Sequence, residues 1–140
     1  MKGSAFVLMS CFFVGCASAP SRVDSDVVSI AKQFVSSRSG IAAFVVSPEF
    51  DARTRNALAL IRPVVSPEAV PKSEKVTLPE GYFLLKALRL NGDDAEIAGT
   101  LGPLYVPHPR EFFGCGVTYR ISFHRQGGTW REGIGQQVVC

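Results

Sequence analysis

Few side chains in this 140-residue chain are of a kind that does chemistry, and most of those lie near its carboxyl end: both histidines, His108 and His124, and two of the four cysteines, Cys115 and Cys140. Two histidines without spaced carboxylates or free thiols do not make up the donor set of a metal site. No Gly-x-Ser-x-Gly, phosphate-loop or dinucleotide motif occurs, so no cofactor is expected. His108, between Pro107 and Pro109, could ligate a metal or touch a partner. His124 belongs to the polar side of a strand, has no nearby partner in sequence and reads as solvated. Glu132 is the one carboxylate that the register of its hairpin turns toward apolar residues. Buried without a cation, a carboxyl group acquires a raised pKa and can serve as a base. At a rim, or beside an arginine, it forms a structural ion pair. That is the commoner case, and the chain is not expected to be an enzyme.

Residues 115–140 position these groups, and they read as one β-hairpin. Gly127-Gly128 between alternating apolar and polar runs favours a two-residue type I′ turn, because both central residues need positive φ. That turn pairs Gln126 with Thr129, Arg125 with Trp130, Phe123 with Glu132, Ile121 with Ile134, Tyr119 with Gln136, Val117 with Val138 and Cys115 with Cys140. The cysteines then meet at a non-hydrogen-bonded site, where Cβ atoms approach closely enough for a disulfide. One face collects Val117, Tyr119, Ile121, Phe123, Trp130, Ile134 and Val138. Thr118, Arg120, Ser122 and His124 point the other way.

Earlier in the chain, Ser21 or Ser25 can cap a helix whose apolar residues Val23, Val27, Ile30, Ala31, Phe34 and Val35 recur at helical spacing through about Arg38, with Gly40 as its stop. Residues 41–46 form a short apolar run, either a strand or a buried link. Ser47-Pro48-Glu49 is the expected start of a second helix, with serine as cap and proline in the first turn. Its stripe is Phe50, Ala57, Leu58 and Ile61, and Pro63 ends it. Arg53, Arg55 and Arg62 lie on or near the opposite side and read as a solvated face, the alternative being an anionic partner. Residues 63–71, with three prolines, read as a stiff linker. A strand region begins at Val76, is interrupted at Pro79-Glu80-Gly81 and resumes at Tyr82. It turns at Asn91-Gly92-Asp93-Asp94 and returns through Leu101. Tyr82, Leu84 and Leu88 are expected on one side with Ala95, Ile97 and Leu101, Lys86 being out of place among them. Phe83, Leu85 and Ala87 lie opposite, so part of the strand is expected to be covered on both faces. The connection 103–114 holds aromatics among prolines, as binding loops often do. Tyr105, His108, Arg110, Phe112 and Phe113 are the candidate partner contacts.

The expected fold is α+β: two amino-terminal helices packed on a curved antiparallel sheet of about four strands in two hairpins, the last closed by the disulfide. The pattern Gly92-Asp93-Asp94-Ala95-Glu96-Ile97, then Tyr119-Arg120-Ile121-Ser122-Phe123, then Gly128-Thr129-Trp130-Arg131 resembles the nuclear transport factor two-like and cystatin-like superfamily over residues 23–140. The resemblance implies a cone-shaped sheet around helix, whose enzymes set an Asp/His pair inside the cone.

At the other end, Lys2 and the apolar run 5–14 form a signal peptide, too short to span ~30 Å of hydrocarbon as a helix. Phe13-Val14-Gly15-Cys16 resembles the lipobox of bacterial lipoproteins, which implies lipid attachment at Cys16, a signal peptide over 1–15, a lipidated tether over 16–22 and a single domain over 23–140. Phe13 stands where leucine is usual. Leu8-Met9-Ser10-Cys11 is a second candidate box with a shorter apolar run. The alternatives are a secreted protein cut after Ala17-Ser18-Ala19 and an uncleaved anchor. Processing at Cys16 discards Cys11 and leaves Cys115 and Cys140 for each other, which fits an oxidising periplasm. Ala17 is not the aspartate associated with inner-membrane retention, so the periplasmic face of the outer membrane is expected. Loss of Lys2 leaves 14 basic against 12 acidic residues, a near balance with no basic run, and nucleic acid is not an expected partner. A protein partner is expected: a toxin or an envelope-degrading enzyme for an immunity or inhibitor lipoprotein, or an envelope component for an assembly accessory. A ligand-binding or catalytic cone is the alternative of a different class.

Overall fold

The computed structural model describes residues 22–105 and 116–139. The first element, α1 (Arg22–Ser36), follows from apolar spacing. Val27, Ile30, Ala31, Phe34 and Val35 are buried, while Val23, one turn earlier, is exposed beyond the edge of the packed face. The run after Gly40 is a strand, β1 (Ala43–Val45), buried throughout. It pairs in parallel with β2 (Val64–Val65) on one side and with β4 (Tyr82–Asn91) on the other, and a strand flanked in this way reads as an uninterrupted apolar run.

Between β1 and β2 runs α2 (Ala52–Ala59), which begins later than Ser47-Pro48-Glu49 suggests. Asp51 is its cap: Thr54 donates its N–H to Oδ1 at 2.8 Å and its hydroxyl to Oδ2 at 2.9 Å. Those bonds, the backbone N–H first, hold the Asp51 carboxyl below its ordinary pKa. Ser47 instead shapes the preceding turn, where its Oγ accepts from the Glu49 N–H at 3.3 Å. Ala57 and Leu58 are buried as the stripe predicts, with Phe50 and Ile61 packed against the core. The expected linker 63–71 is also structured. Pro63 cannot donate, yet its carbonyl accepts from Phe44 at 2.9 Å, which suffices at a sheet edge. A 3₁₀ turn (Pro67–Ala69) then delivers Val70 to a second core.

The main sheet has six strands in the order β2-β1-β4-β5-β7-β8, where β5 is Asp94–Leu101, β7 is Val117–Gln126 and β8 is Thr129–Val139. The last four are the two expected antiparallel hairpins, and the parallel β1 and β2 extend them. β3 (Val76–Leu78) is not continuous with β4; it pairs with β6 (Leu104–Tyr105) as a separate small sheet. Lys86 is a bulge in β4, since Leu85 pairs with Gly99 and Ala87 with Ala98. One extra residue reverses the alternation. Phe83 and Leu85 therefore share the helix-covered face with Leu88, Leu90, Ala95 and Ile97, while Tyr82 and Leu84 face Val45, Val70, Leu78 and Leu104 on the other side. The polar residue out of place in the sequence was the point of reversal.

A second bulge corrects the carboxyl-terminal hairpin. Gly127 and Gly128 have φ of 57° and 80°, as the turn requires, and the ladder runs as expected from Gln126 and Thr129 to Phe123 and Glu132. Beyond that, Ser122 faces both Gly133 and Ile134, so Ile121 pairs with Gly135, Tyr119 with Gln137 and Val117 with Val139. Ile134 and Val138 consequently leave the apolar face and are 94% and 65% exposed. Cys115 and Cys140 lie outside the described residues, and the ladder approaches them one residue out of the expected register.

The main core lies between the helices and the sheet. The Phe34 and Phe83 rings are 5.0 Å apart, Phe34 meets Tyr119 edge-on at 6.1 Å, and Phe44 meets Phe83 edge-on at 6.2 Å. Phe83 reaches this position because Gly99 has no side chain: a Cβ there would stand 2.4 Å from the Leu84 carbonyl oxygen and 2.5 Å from the Phe83 ring.

Candidate functional site

Glu132 is on the face that the turn predicts, opposite Phe123 and just before the bulge. Its partner decides its chemistry. α1 ends at Ser36, and the next two residues close over the carboxylate: Arg38 donates Nη1 to Oε2 at 3.1 Å and Nη2 to Oε1, and Ser37 donates its hydroxyl to Oε2 at 2.9 Å. The guanidinium also donates to the Phe34 carbonyl at 3.2 Å and lies 4.5 Å from the Phe34 ring centroid and 5.1 Å from that of Tyr119. The hydrogen bond from Arg38 leads in holding the Glu132 carboxyl below its ordinary range, against the opposing effect of burial. A general base needs the opposite shift. The raised pKa considered for Glu132 is thus overturned, and the residue is a pin between the end of α1 and β8.

A second pin sits at the hairpin turn. Asp26 of α1 accepts from Trp130 Nε1 at 3.0 Å and from Arg125, whose guanidinium lies 4.6 Å from the centre of the Trp130 ring. His124 has a partner after all: Asp94, its direct neighbour on β5, at 2.8 Å from Nδ1. This Asp/His pair is on the solvent side of the sheet, with side chains 54% and 76% exposed, and not among the packed rings. Among the described residues no three histidine, cysteine, aspartate or glutamate side chains converge on a metal-sized space.

The sequence-predicted contact loop is only partly in view. Its stem is anchored: Leu104 packs against the second core, and its carbonyl accepts from the Thr77 hydroxyl at 3.1 Å. Tyr105 follows and is 46% exposed. His108, Arg110, Phe112 and Phe113 lie outside the described residues, as does Cys16. A surface that the sequence did not single out is the groove between α1 and α2, about 570 Å³, with Val28, Ala57 and Leu60 as its apolar floor and Asp24, Arg53 and Asn56 around it. Leu60, 76% exposed and one residue past α2, was the signal available for it. The three arginines do not form one patch. Arg53 lines this groove, Arg55 lines a separate recess with Val64 and Ser66, and Arg62 is tied to the Ile41 carbonyl at 3.1 Å.

Arg38, Ser37, Asp26 and Asp94, the residues that settle the environments of Glu132, Trp130 and His124, were not legible from spacing. Among the described residues no helix is long and apolar enough to cross a membrane. Comparison with known protein families, with curated proteins and with solved structures finds no match for this chain.

Proposed function

We propose that the protein is an exported, lipid-anchored binding protein, attached through Cys16 at the periplasmic face of the outer membrane. In its most concrete form it is an inhibitor or immunity lipoprotein that neutralises a toxin or an envelope-degrading enzyme. The observation that favours a binding protein over a catalytic cone is the packing behind Glu132. Where a ligand-binding cone would keep an apolar cavity with a reactive carboxylate, the rings of Phe83 and Tyr119 pack against that of Phe34, tilted and edge-on, and Arg38 pairs with the acid. The features open to a partner lie outside, at the stem of loop 103–114 and in the interhelical groove. Kinship with the nuclear transport factor two-like superfamily is part of the proposal, supported by two helices against a mostly antiparallel sheet and by the glycine turns of both hairpins. The Cys115–Cys140 disulfide is proposed with it: the ladder ends at Val117 and Val139, two residues and one residue from the cysteines, in a register one step away from setting them directly opposite.

Affinity capture of the naturally processed protein from its own envelope tests the reading. One secreted enzyme recovered in stoichiometric amount, and lost when Tyr105, His108, Arg110, Phe112 and Phe113 are changed to alanine, is the expected result. A multi-protein assembly would move the protein to an envelope machine. A bound small molecule without a protein partner would restore the cone reading.

A further inference from the structure

β8 is the last strand in the sheet order, so among the described strands one of its edges is unpaired along eleven residues. Long open edges usually carry charge, proline or a bulge that discourages pairing with another chain. The half of β8 near the turn does, with Arg131, Glu132 and the bulge at Gly133 and Ile134. Residues 134–139, Ile-Gly-Gln-Gln-Val-Val, carry no charge. Ile134, Val138 and Val139 are 94%, 65% and 63% exposed.

The direction of the backbone groups follows from the ladder. The two-residue turn makes Gln126 and Thr129 a hydrogen-bonded pair, and bonding alternates from there. The odd-numbered residues of β7 turn toward β5, as the bond from the Arg125 N–H to the Asp93 carbonyl at 2.8 Å shows. The even-numbered ones, Arg120 and Thr118 among them, bond to Gln136 and Val138. Gly135, Gln137 and Val139 are left with N–H and C=O groups aimed outward.

We propose that this edge joins two copies of the chain, their residues 134–138 antiparallel about a twofold axis at Gln136. In that register Gly135 of one copy and Gln137 of the other form a hydrogen-bonded pair, twice over. Ile134 meets Val138 of the second copy, also twice, and the two Gln136 side chains meet at the axis. Moving the axis by one residue puts Ile134 or Val138 against glutamine, so the apolar residues select this pairing. Charge selects a second copy over a charged partner: the paired stretch has none, and Arg131 and Glu132 fall outside it, so like charges do not meet. Five residues per strand span about 17 Å, less than a standard interface of ~1,600 Å² provides, so the dimer is weak, with a Kd on the order of tens of micromolar.

Sedimentation velocity of the full chain as its cell processes it, in a non-ionic detergent, from about 1 to about 500 µM tests this. The wild type is expected to pass from monomer to dimer over that range. Gln136→Arg and Gln136→Glu each set two like charges face to face at a close cross-strand site, and each alone is expected to weaken self-association at least about tenfold. An equimolar mixture of the two is expected to dimerise again. Gln136 is exposed, and circular dichroism checks that both variants fold. A wild type that stays monomeric, variants that dimerise like the wild type, or a mixture that stays monomeric would each overturn the proposal. None of these results bears on partner binding through loop 103–114.

Discussion

Breaking the pair of Arg38 and Glu132 should destabilise the domain in a way that depends on pH with a definite sign. The two side chains are 11% and 25% exposed. That lies between a surface pair, worth ~1 kcal/mol or less, and a buried pair, where removing one partner costs about 3–5 kcal/mol. Glu132→Gln keeps the shape and one acceptor and should cost about 1–1.5 kcal/mol. Arg38→Met keeps the stem but loses the bonds to Glu132, to the Phe34 carbonyl and to the Ser37 hydroxyl at 2.7 Å, together with the cation held over two rings. It should cost about 2–3 kcal/mol. The double mutant should fall short of additivity by about 1 kcal/mol. Because the folded pKa of Glu132 is depressed below its ordinary 4.5, the stabilisation is complete above that value and is lost as pH falls through the folded pKa. The gap between wild type and Glu132→Gln should thus stay constant above the ordinary value of 4.5 and close only as pH falls below it, through the depressed folded pKa. Urea unfolding followed by the fluorescence of Trp130, the single tryptophan, reads all of this. A gap that widens below pH 5, or a coupling under about 0.3 kcal/mol, would refute the pin and return Glu132 to the list of candidate bases.

Gly99→Ala should cost at least about 3 kcal/mol or prevent folding, because its Cβ would meet the Leu84 carbonyl oxygen at 2.4 Å, a backbone atom that cannot turn aside. Circular dichroism and urea titration check it. His124→Ala should change stability by no more than about 0.5 kcal/mol, since the pair with Asp94 is exposed on both sides, and a larger loss in the same titration would mean that the sheet surface is covered in the native state. A reductant should shift the electrophoretic mobility of the protein purified from its own cell and lower its stability by about 3.5 kcal/mol if Cys115 and Cys140 are bridged. Unchanged mobility, with two free thiols by alkylation, would remove the bridge.

Local rules served this chain where one segment decides its own structure. The spacing of Val27, Ile30, Ala31, Phe34 and Val35 makes α1 and buries the same residues, and two glycines set a turn that needs positive φ twice. Parity arguments fail at one added residue. At Lys86 the sign was present, a charge in an apolar run, and at Gly133 there was a glycine just before Ile134, a residue expected to point inward. Each bulge leaves every downstream alternation intact but inverted, so a face assigned by counting from the turn is right as far as Glu132 and wrong at Ile134. The start of α2 was a competition between two caps. Asp51 prevails over Ser47 because it engages both the N–H and the hydroxyl of Thr54. The two-residue strand β2 has no period to read at all; it exists because β1 offers a neighbouring edge.

The candidate chemistry shows the same division more sharply. Register alone put Glu132 on the covered face, and the ladder agrees. Whether a carboxylate there is a base or a strut depends on which cation reaches it, and Arg38 comes from a point 94 residues earlier in the chain. Nothing in the hairpin's own sequence anticipates that arrival. It follows from α1 having a length that ends its last turn over β8, so that Ser37 and Arg38 lie where the carboxylate emerges. Helix length therefore controls the protonation behaviour of a residue on another element. Moving Arg38 away by one inserted residue after Ser36 would leave Glu132 facing Phe123 without its cation, the environment in which a carboxyl pKa rises.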